Sequence, residues 1–296
     1  MDSNNINTSV PQLQPIEIIK EIETELKDGL NDCTNKIYHD DRKYLSSSVL
    51  KILYKSLDEY HDQYILGNKK EYNQQTLANF DVGSLVHSMI LEPETVASSY
   101  NFYKGWRKSG LEFQEFCSSL LNAKLPIISA PQLHVATELL NAFKALPAAL
   151  ELVKGGFAEQ TICGTLFGVP IKTRYDYINV NDGYIADVKT TAYASDKESF
   201  SETCHSLSYE LSAALYCMMA EQYYGKPFKF YFIVLSKKDK DCNVYLTSEK
   251  KMNDGKMKVI NACKKYLAAK ESNVWTELKL NANLKVVDSN YVIEEI

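Results

Sequence analysis

Three charged residues stand close enough in the sequence to do chemistry together. Asp176 lies in the run Thr173 to Ile178, and Asp187-Val188-Lys189 follows eleven residues later. Both sit in stretches of alternating apolar residues, which read as strands, and Asn181-Asp182-Gly183 between them is a hairpin turn signal. Alternation puts Asp187 and Lys189 on one face of their strand with Val188 turned into the core. A hairpin carrying two carboxylates and a lysine to one end matches metal-dependent phosphodiester cleavage. The carboxylates would hold a hard divalent cation, and the lysine would orient or activate the attacking water. An aspartate at a strand end is ordinarily a turn residue, and a lysine beside carboxylates can be a structural ion pair. Three charged groups converging at strand ends are nevertheless costly to desolvate without a metal or a function.

Other candidates lie further out. Glu159 opens the preceding strand and could supply a third carboxylate or could be an exposed strand-end residue. His87 interrupts the apolar helix Asp81 to Glu92; it could be a hydrogen-bonded core histidine or a metal ligand, since imidazole suits Mn²⁺ and is tolerated by Mg²⁺ sites. Gly83, one turn earlier, would admit a close approach by backbone or substrate. Positions 209, 212/213 and 216 share one face of a later helix. Tyr209, Ser212 and Tyr216 there are either packing residues or a polar stripe for a nucleic-acid backbone. Arg174 and Thr190, beside the charged residues, join them as candidate DNA contacts.

The elements that must position these groups follow from periodicity. Residues 1–15 are Asn/Ser/Gln/Pro-rich and are expected to be disordered. Helical spacing covers Ile16 to Leu30, Ser46 to Ser48 cap a run from Val49, and Lys69 to Phe80 reads as loop. Helices are expected over Asp81 to Glu92, stopped by Pro93, near Phe113 to Leu121, and over Pro131 to Leu152. Strands then cover Phe157 to Ile178 and Tyr184 to Lys189, with a long helix over Phe200 to Tyr224. Strands at Phe228 to Leu235 and Asn243 to Thr247 flank a lysine-rich turn, and a lysine-rich helix runs Glu249 to Ser272. Lys237, Lys238 and Lys240 of that turn read first as a solvated face. The order gives an α/β core with a helical N-terminal portion. We expect one domain over 16–296: a mainly helical part (16–152), a catalytic α/β core (153–275) and a C-terminal extension (276–296).

Composition narrows the classes. The 296 residues carry 45% apolar and 24% charged side chains, ordinary for a globular protein. Net charge is -5, which speaks against a generic nucleic-acid coat but leaves room for a carboxylate-lined nuclease site. The seven cysteines are scattered without a C-x-x-C pair, which argues against a disulfide framework, a zinc ribbon or an iron–sulfur cluster. A reducing cytoplasm is the expected compartment. No apolar run reaches the roughly 18 residues of a membrane span, and the polar start does not resemble a signal peptide. No Gly-x-x-x-x-Gly-Lys-Ser/Thr motif is present, so the chain carries no ATP motor of that kind.

Together these pieces resemble the PD-(D/E)xK nuclease superfamily, whose acidic residue precedes a (D/E)-x-K triplet on the next strand. Within it, the exonuclease VIII (RecE)-like family, with a RecB-type nuclease domain, is most similar. The carrying strings are YLSSSVLK at 44–51, GSLVHSMILEPE at 83–94, RYDYI at 174–178, IADVKTT at 185–191 and the Tyr209–Tyr216 helix. The resemblance implies a mixed central sheet flanked by helices and a Mg²⁺-dependent exonuclease, with Mn²⁺ as a substitute. Such an enzyme degrades one strand of linear duplex DNA from the 5′ end. Its 3′-tailed product passes to a single-strand annealing protein in phage or prophage recombination, and family members often form ring-shaped homo-oligomers. By position, His87, Asp176 and Asp187 would ligate metal with help from the Val188 carbonyl. Lys189 would position water, and Glu159 would match an upstream acidic residue. The family's Q-x-x-x-Y glutamine falls on Ser212, whose hydroxyl reaches less far, while Tyr216 is kept. An endonuclease, a helicase-coupled nuclease subunit and a non-catalytic DNA-binding adaptor are the competing readings.

Overall fold

The computed structural model describes residues 25–68, 70–277 and 279. The expected tail, most of the helix proposed for Ile16 to Leu30, and the C-terminal extension from residue 278 onward lie, but for Lys279, outside them. A short strand, β1 (Gly29–Asn31), precedes helices α1 (Asn35–Asp40), α2 (Ser47–Lys55), α3 (Leu57–Tyr60) and α4 (Gln74–Leu91). Then come α5 (Val96–Ser99), β2 (Asn101–Tyr103), α6 (Leu111–Ser118), β3 (Ile127–Ser129), α7 (Ala130–Ala145) and α8 (Pro147–Glu151). The remaining elements are β4 (Phe157–Leu166), β5 (Val169–Asn179), β6 (Tyr184–Thr191), α9 (Lys197–Leu207), α10 (Tyr209–Tyr224), β7 (Lys229–Ser236), β8 (Cys242–Leu246) and α11 (Glu249–Ser272).

Among the described residues the main sheet has six strands in the order β1-β4-β5-β6-β7-β8. Only β6 and β7 run parallel in it. A parallel pair needs a crossover, and α9 with α10 supplies it. Helices cover both faces. Leu50 and Leu53 of α2, Leu211 and Leu215 of α10 and Val259 of α11 pack on one side against Ile171, Ile185, Phe230 and Val234. Val82, Leu85 and Val86 of α4, with Leu139 and Phe143 of α7, pack on the other against Val188, Ile233 and Leu235. This is a mixed α/β sandwich, as the sequence order implied. No helix among the described residues is long and apolar enough to cross a membrane.

Several boundaries differ from the sequence reading, each for a physical reason. Residues 29–31 form an edge strand on β4, not the end of a helix. The polar stretch before Asp81 is helical from Gln74, because the Asn73 side chain accepts from the Thr76 N–H at 2.8 Å and caps it. Pro147 divides the expected Pro131–Leu152 helix into α7 and α8. Ser208 takes a left-handed φ of 50° and divides the expected Phe200–Tyr224 helix into α9 and α10. A turn at Phe167-Gly168, both at positive φ, separates β4 from β5. The Asn181-Asp182-Gly183 turn forms where expected; the Asn179 carboxamide oxygen accepts from the Asp182 N–H at 2.9 Å.

Candidate active site

Asp176 and Asp187 are not at strand ends, as the sequence suggested, but within β5 and β6. What opens the sheet there is a fork. The β5–β6 ladder pairs Asn179 with Tyr184, Ile178 with Ile185 and Tyr177 with Ala186, and goes no further. At the next position the Asp176 carboxylate takes over, accepting from the Val188 N–H at 2.8 Å. A side chain thus satisfies a backbone donor that the ladder has released.

The pleat is also broken at this point. Ile171 and Tyr175 of β5 face the α2/α10 core, whereas Tyr177 faces the α4/α7 core. In a regular strand all three would share a face. On β4, Ile162 and Ala158 are divided in the same way. Glu159, opposite Asp176 in the register, sits between them with a φ of 51°. A non-glycine residue in this left-handed region is strained by roughly 1–3 kcal/mol and persists only where its surroundings impose it. The irregularity turns two carboxylates on adjacent strands toward one point.

His87 of α4 completes that point. Its Nδ1 lies 3.4 Å from Asp176 Oδ2. One ligand atom each from His87, Glu159 and Asp176 falls within 4.8 Å of the others. Burial, then the Asp176 charge, pushes the Glu159 carboxyl up to about 8. Two hard oxygens and an imidazole nitrogen on half-buried side chains suit a divalent cation of the Mg²⁺ or Mn²⁺ class.

Asp187 stands beside this trio, not within it. It is buried and forms an ion pair with Lys189 on the same strand face. Burial raises its carboxyl above the usual range. Burial works against the Lys189 charge, but Asp187 and then Asp176 more than offset it and hold that ammonium above its ordinary value. The Tyr216 phenol is raised by burial and next by Asp187, with Ser47 of α2 working the other way. Tyr209 presents its ring to Lys189, whose Nζ is 5.5 Å from the centroid. Val188 is buried in the α4/α7 core. Thr190 faces α4: a Cβ at Gly83 would lie 3.3 Å from its Oγ1. Gly83 therefore admits this side chain of β6. Arg174 is engaged within the protein, its Nε 3.5 Å from Glu159 Oε2 and its other nitrogens bonded to Asn35 and the Cys33 carbonyl. Ser212 is buried on α10 between the two tyrosine positions.

A cavity of about 410 Å³ opens beside the trio. Glu159, Asp176 and Tyr216 line it together with Ser46 to Ser48 at the start of α2 and the cations Arg42, Lys172 and Arg174. The basic turn lies elsewhere: Lys237 bonds Asn79 of α4, and Lys240 pairs with Glu138 of α7.

Sequence reasoning passed over Lys51. It lies on α2, and its ammonium is 4.8 Å from the Tyr209 ring that Lys189 also faces. Burial, then Lys189, lowers it to about 8. Its spacing of four from Ser47, on the helix after the serine cap, was the available signal.

A family model described as a PDDEXK-like domain of unknown function (DUF3799) matches residues 46–281. No curated protein matches the chain. Among solved structures, a protein from Eubacterium rectale described as a "putative exonuclease" is similar at a TM-score of 0.60 and 17% identity, over 81% of this chain and 87% of that one. At that identity the likeness is one of fold. SSO0001 is more distant, at a TM-score of 0.38 and 12% identity over 77% of each chain.

Proposed function

Since the chain belongs to the PDDEXK-like family DUF3799, we propose that it is a metal-dependent deoxyribonuclease. The observation that carries this reading is the fork itself, where the His87, Glu159 and Asp176 ligand atoms converge beside the Asp187–Lys189 pair. His87, Glu159 and Asp176 would hold the cation, with Asp187 and the Val188 carbonyl adjoining. When bound, the cation supplies a water of lowered pKa and neutralises charge gathering on the phosphate. Lys189 donates to that water or to a phosphate oxygen, and Asp187 keeps the ammonium charged and aimed. Mg²⁺ is the proposed ion, with Mn²⁺ as a substitute.

The proposed mode is exonucleolytic, 5′ to 3′ on linear duplex DNA, leaving 3′ tails for a single-strand annealing protein in phage-type recombination. The resemblance of the strings at 44–51, 83–94 and 185–191 to exonuclease VIII supports it, as does the fold shared with the Eubacterium rectale protein. A ring-shaped homo-oligomer closing around the duplex goes with this mode. Thr190, Arg174 and the 209–216 face of α10 are the proposed DNA-side residues.

The test is digestion of linear duplex, labelled at the 5′ or the 3′ end, with Mg²⁺ or with EDTA, beside a closed circle. The expected outcome is Mg²⁺-dependent loss of the linear DNA from the 5′ end with the circle intact. Cleavage of the circle would replace the exonuclease with an endonuclease. Binding without cleavage under either metal would overturn the catalytic reading.

A further inference from the structure

Lys51 differs from other lysines of this protein. Lys55, one turn on, donates to the Ser206 carbonyl at 3.0 Å. Lys258 of α11 pairs with the buried Glu210. Lys172 has three oxygen partners. Among the described residues Lys51 has no carboxylate or carbonyl partner, and its contact is the face of Tyr209. Lys189 faces the same ring. Lys189 works against the Lys51 charge, and the Asp187 and Glu210 carboxylates that favour it form no ion pair with it; a half-buried cation without a bonded anion is unfavourable. A structural lysine in such a place would carry a counter-ion, as Lys172 does.

The anion that partners Lys51 must lie beside Lys189, which pairs with Asp187, and beside carboxylates that hold a metal. A phosphodiester strand has that form: repeated negative charge with oxygens on two sides. Ser47 and Lys51 share one face of α2, and Ser47 lines the cavity at the site together with Tyr216. The helix thus carries its unpartnered ammonium toward the residues that would do the chemistry.

We propose that Lys51 is a substrate-binding residue that contacts a phosphate of the DNA strand and forms, with Lys189 across Tyr209, a two-cation clamp. This rests on the nuclease reading above. The clamp holds the strand, while Lys189 alone serves the reacting phosphate.

The experiment compares wild type, Lys51→Met, Lys51→Arg and a remote control, Lys154→Ala. Binding of a fluorescent linear duplex in Ca²⁺ is titrated against salt, and Mg²⁺-dependent cleavage is measured in parallel. Each phosphate contact adds about 0.9 to the slope of log affinity against log salt. Lys51→Met is expected to reduce that slope by about one and to raise KM about 10-fold with kcat within about twofold. Lys51→Arg should restore both, and Lys154→Ala should match wild type. Methionine keeps the aliphatic stem, so the melting temperature of Lys51→Met should equal or exceed that of wild type. An unchanged slope and KM in Lys51→Met, with wild type active, overturns the clamp alone. A fall in melting temperature large enough to account for the lost binding also overturns it, by making Lys51 structural. A wild type that cuts no DNA overturns the nuclease reading, and the clamp with it.

Discussion

Two lysines on neighbouring strands of this protein each pair with an aspartate, and the pairs are built for different ends. Lys172 of β5 donates to the Tyr38 carbonyl at 2.6 Å, the Asp41 carbonyl at 2.8 Å and Asp41 Oδ1 at 3.2 Å. All three ammonium protons are engaged, and the side chain is 5% exposed. It fastens the segment around α1 to the sheet. Lys189 of β6 has one carboxylate partner and an aromatic face, and it is 25% exposed. Burial dominates Lys172 and lowers its pKa, whereas Asp187 and Asp176 outweigh burial at Lys189 and raise it. A satisfied ammonium is a joint. One with donors still open, surrounded by surplus negative charge, is poised for a ligand.

Removing each lysine in turn should separate the two roles. Lys189→Met is expected to lower the cleavage rate about 10³-fold, the scale of losing a positioned proton-handling group, and, because it leaves the buried Asp187 carboxylate without its cation, to lower the melting temperature as well. Lys172→Met strands the Asp41 carboxylate and two carbonyls. Breaking a buried pair costs about 3–5 kcal/mol; Asp41 is partly exposed, so roughly 2–3 is the expectation. Its folded fraction should cut DNA at the wild-type rate. Calorimetry and single-turnover cleavage on both variants check this. Equal losses of stability and rate in the two would erase the distinction.

The sequence was legible where the signal was local. Alternation placed Asp187 and Lys189 on one face, Asn181-Asp182-Gly183 specified its turn, and α11 runs over the expected Glu249–Ser272. It was opaque where the cause was distant. Residues 29–31 become a strand only because β4 offers an edge. The broken pleat at Glu159 and Asp176 carries no glycine or proline to announce it, so both carboxylates read as strand-end residues. Lys51 was passed over, because its lack of a partner is a property of α10 and β6.

The same contrast has a pH form at the trio. Burial and Asp176 raise Glu159 from its ordinary 4.5 to about 8. Between those values the folded protein binds a proton that the unfolded chain has lost. Without metal, stability therefore falls as pH rises from about 5 to 8. Asp187, also raised, adds to the same slope, while His39, lowered by burial, opposes it. Glu159→Gln should flatten the slope in part, and the difference from wild type isolates Glu159. A divalent cation takes the place of the proton, so Mn²⁺ or Mg²⁺ should raise the melting temperature more at pH 8 than at pH 5.5. A metal effect independent of pH would remove Glu159 from the ligand set.

The smallest effect is expected at Ser212. On the resemblance to exonuclease VIII this position answers to a glutamine that reaches the nucleic acid. Here the residue is 8% exposed, on an α10 face where Tyr209 meets Lys51 and Lys189 and Tyr216 lines the cavity. A hydroxyl is shorter than a carboxamide and closes one bond where glutamine closes several. If the strand is gripped by the Lys51–Lys189 clamp, the serine has little left to hold. Ser212→Ala should then change KM and the salt slope by less than about twofold, well below the loss expected at Lys51. Ser212→Gln forces a larger side chain into a packed face, and overpacking costs about 1–3 kcal/mol, so it should lower stability without tightening binding. A Ser212→Ala variant that weakens binding as much as Lys51→Met would shift the grip from α2 to α10.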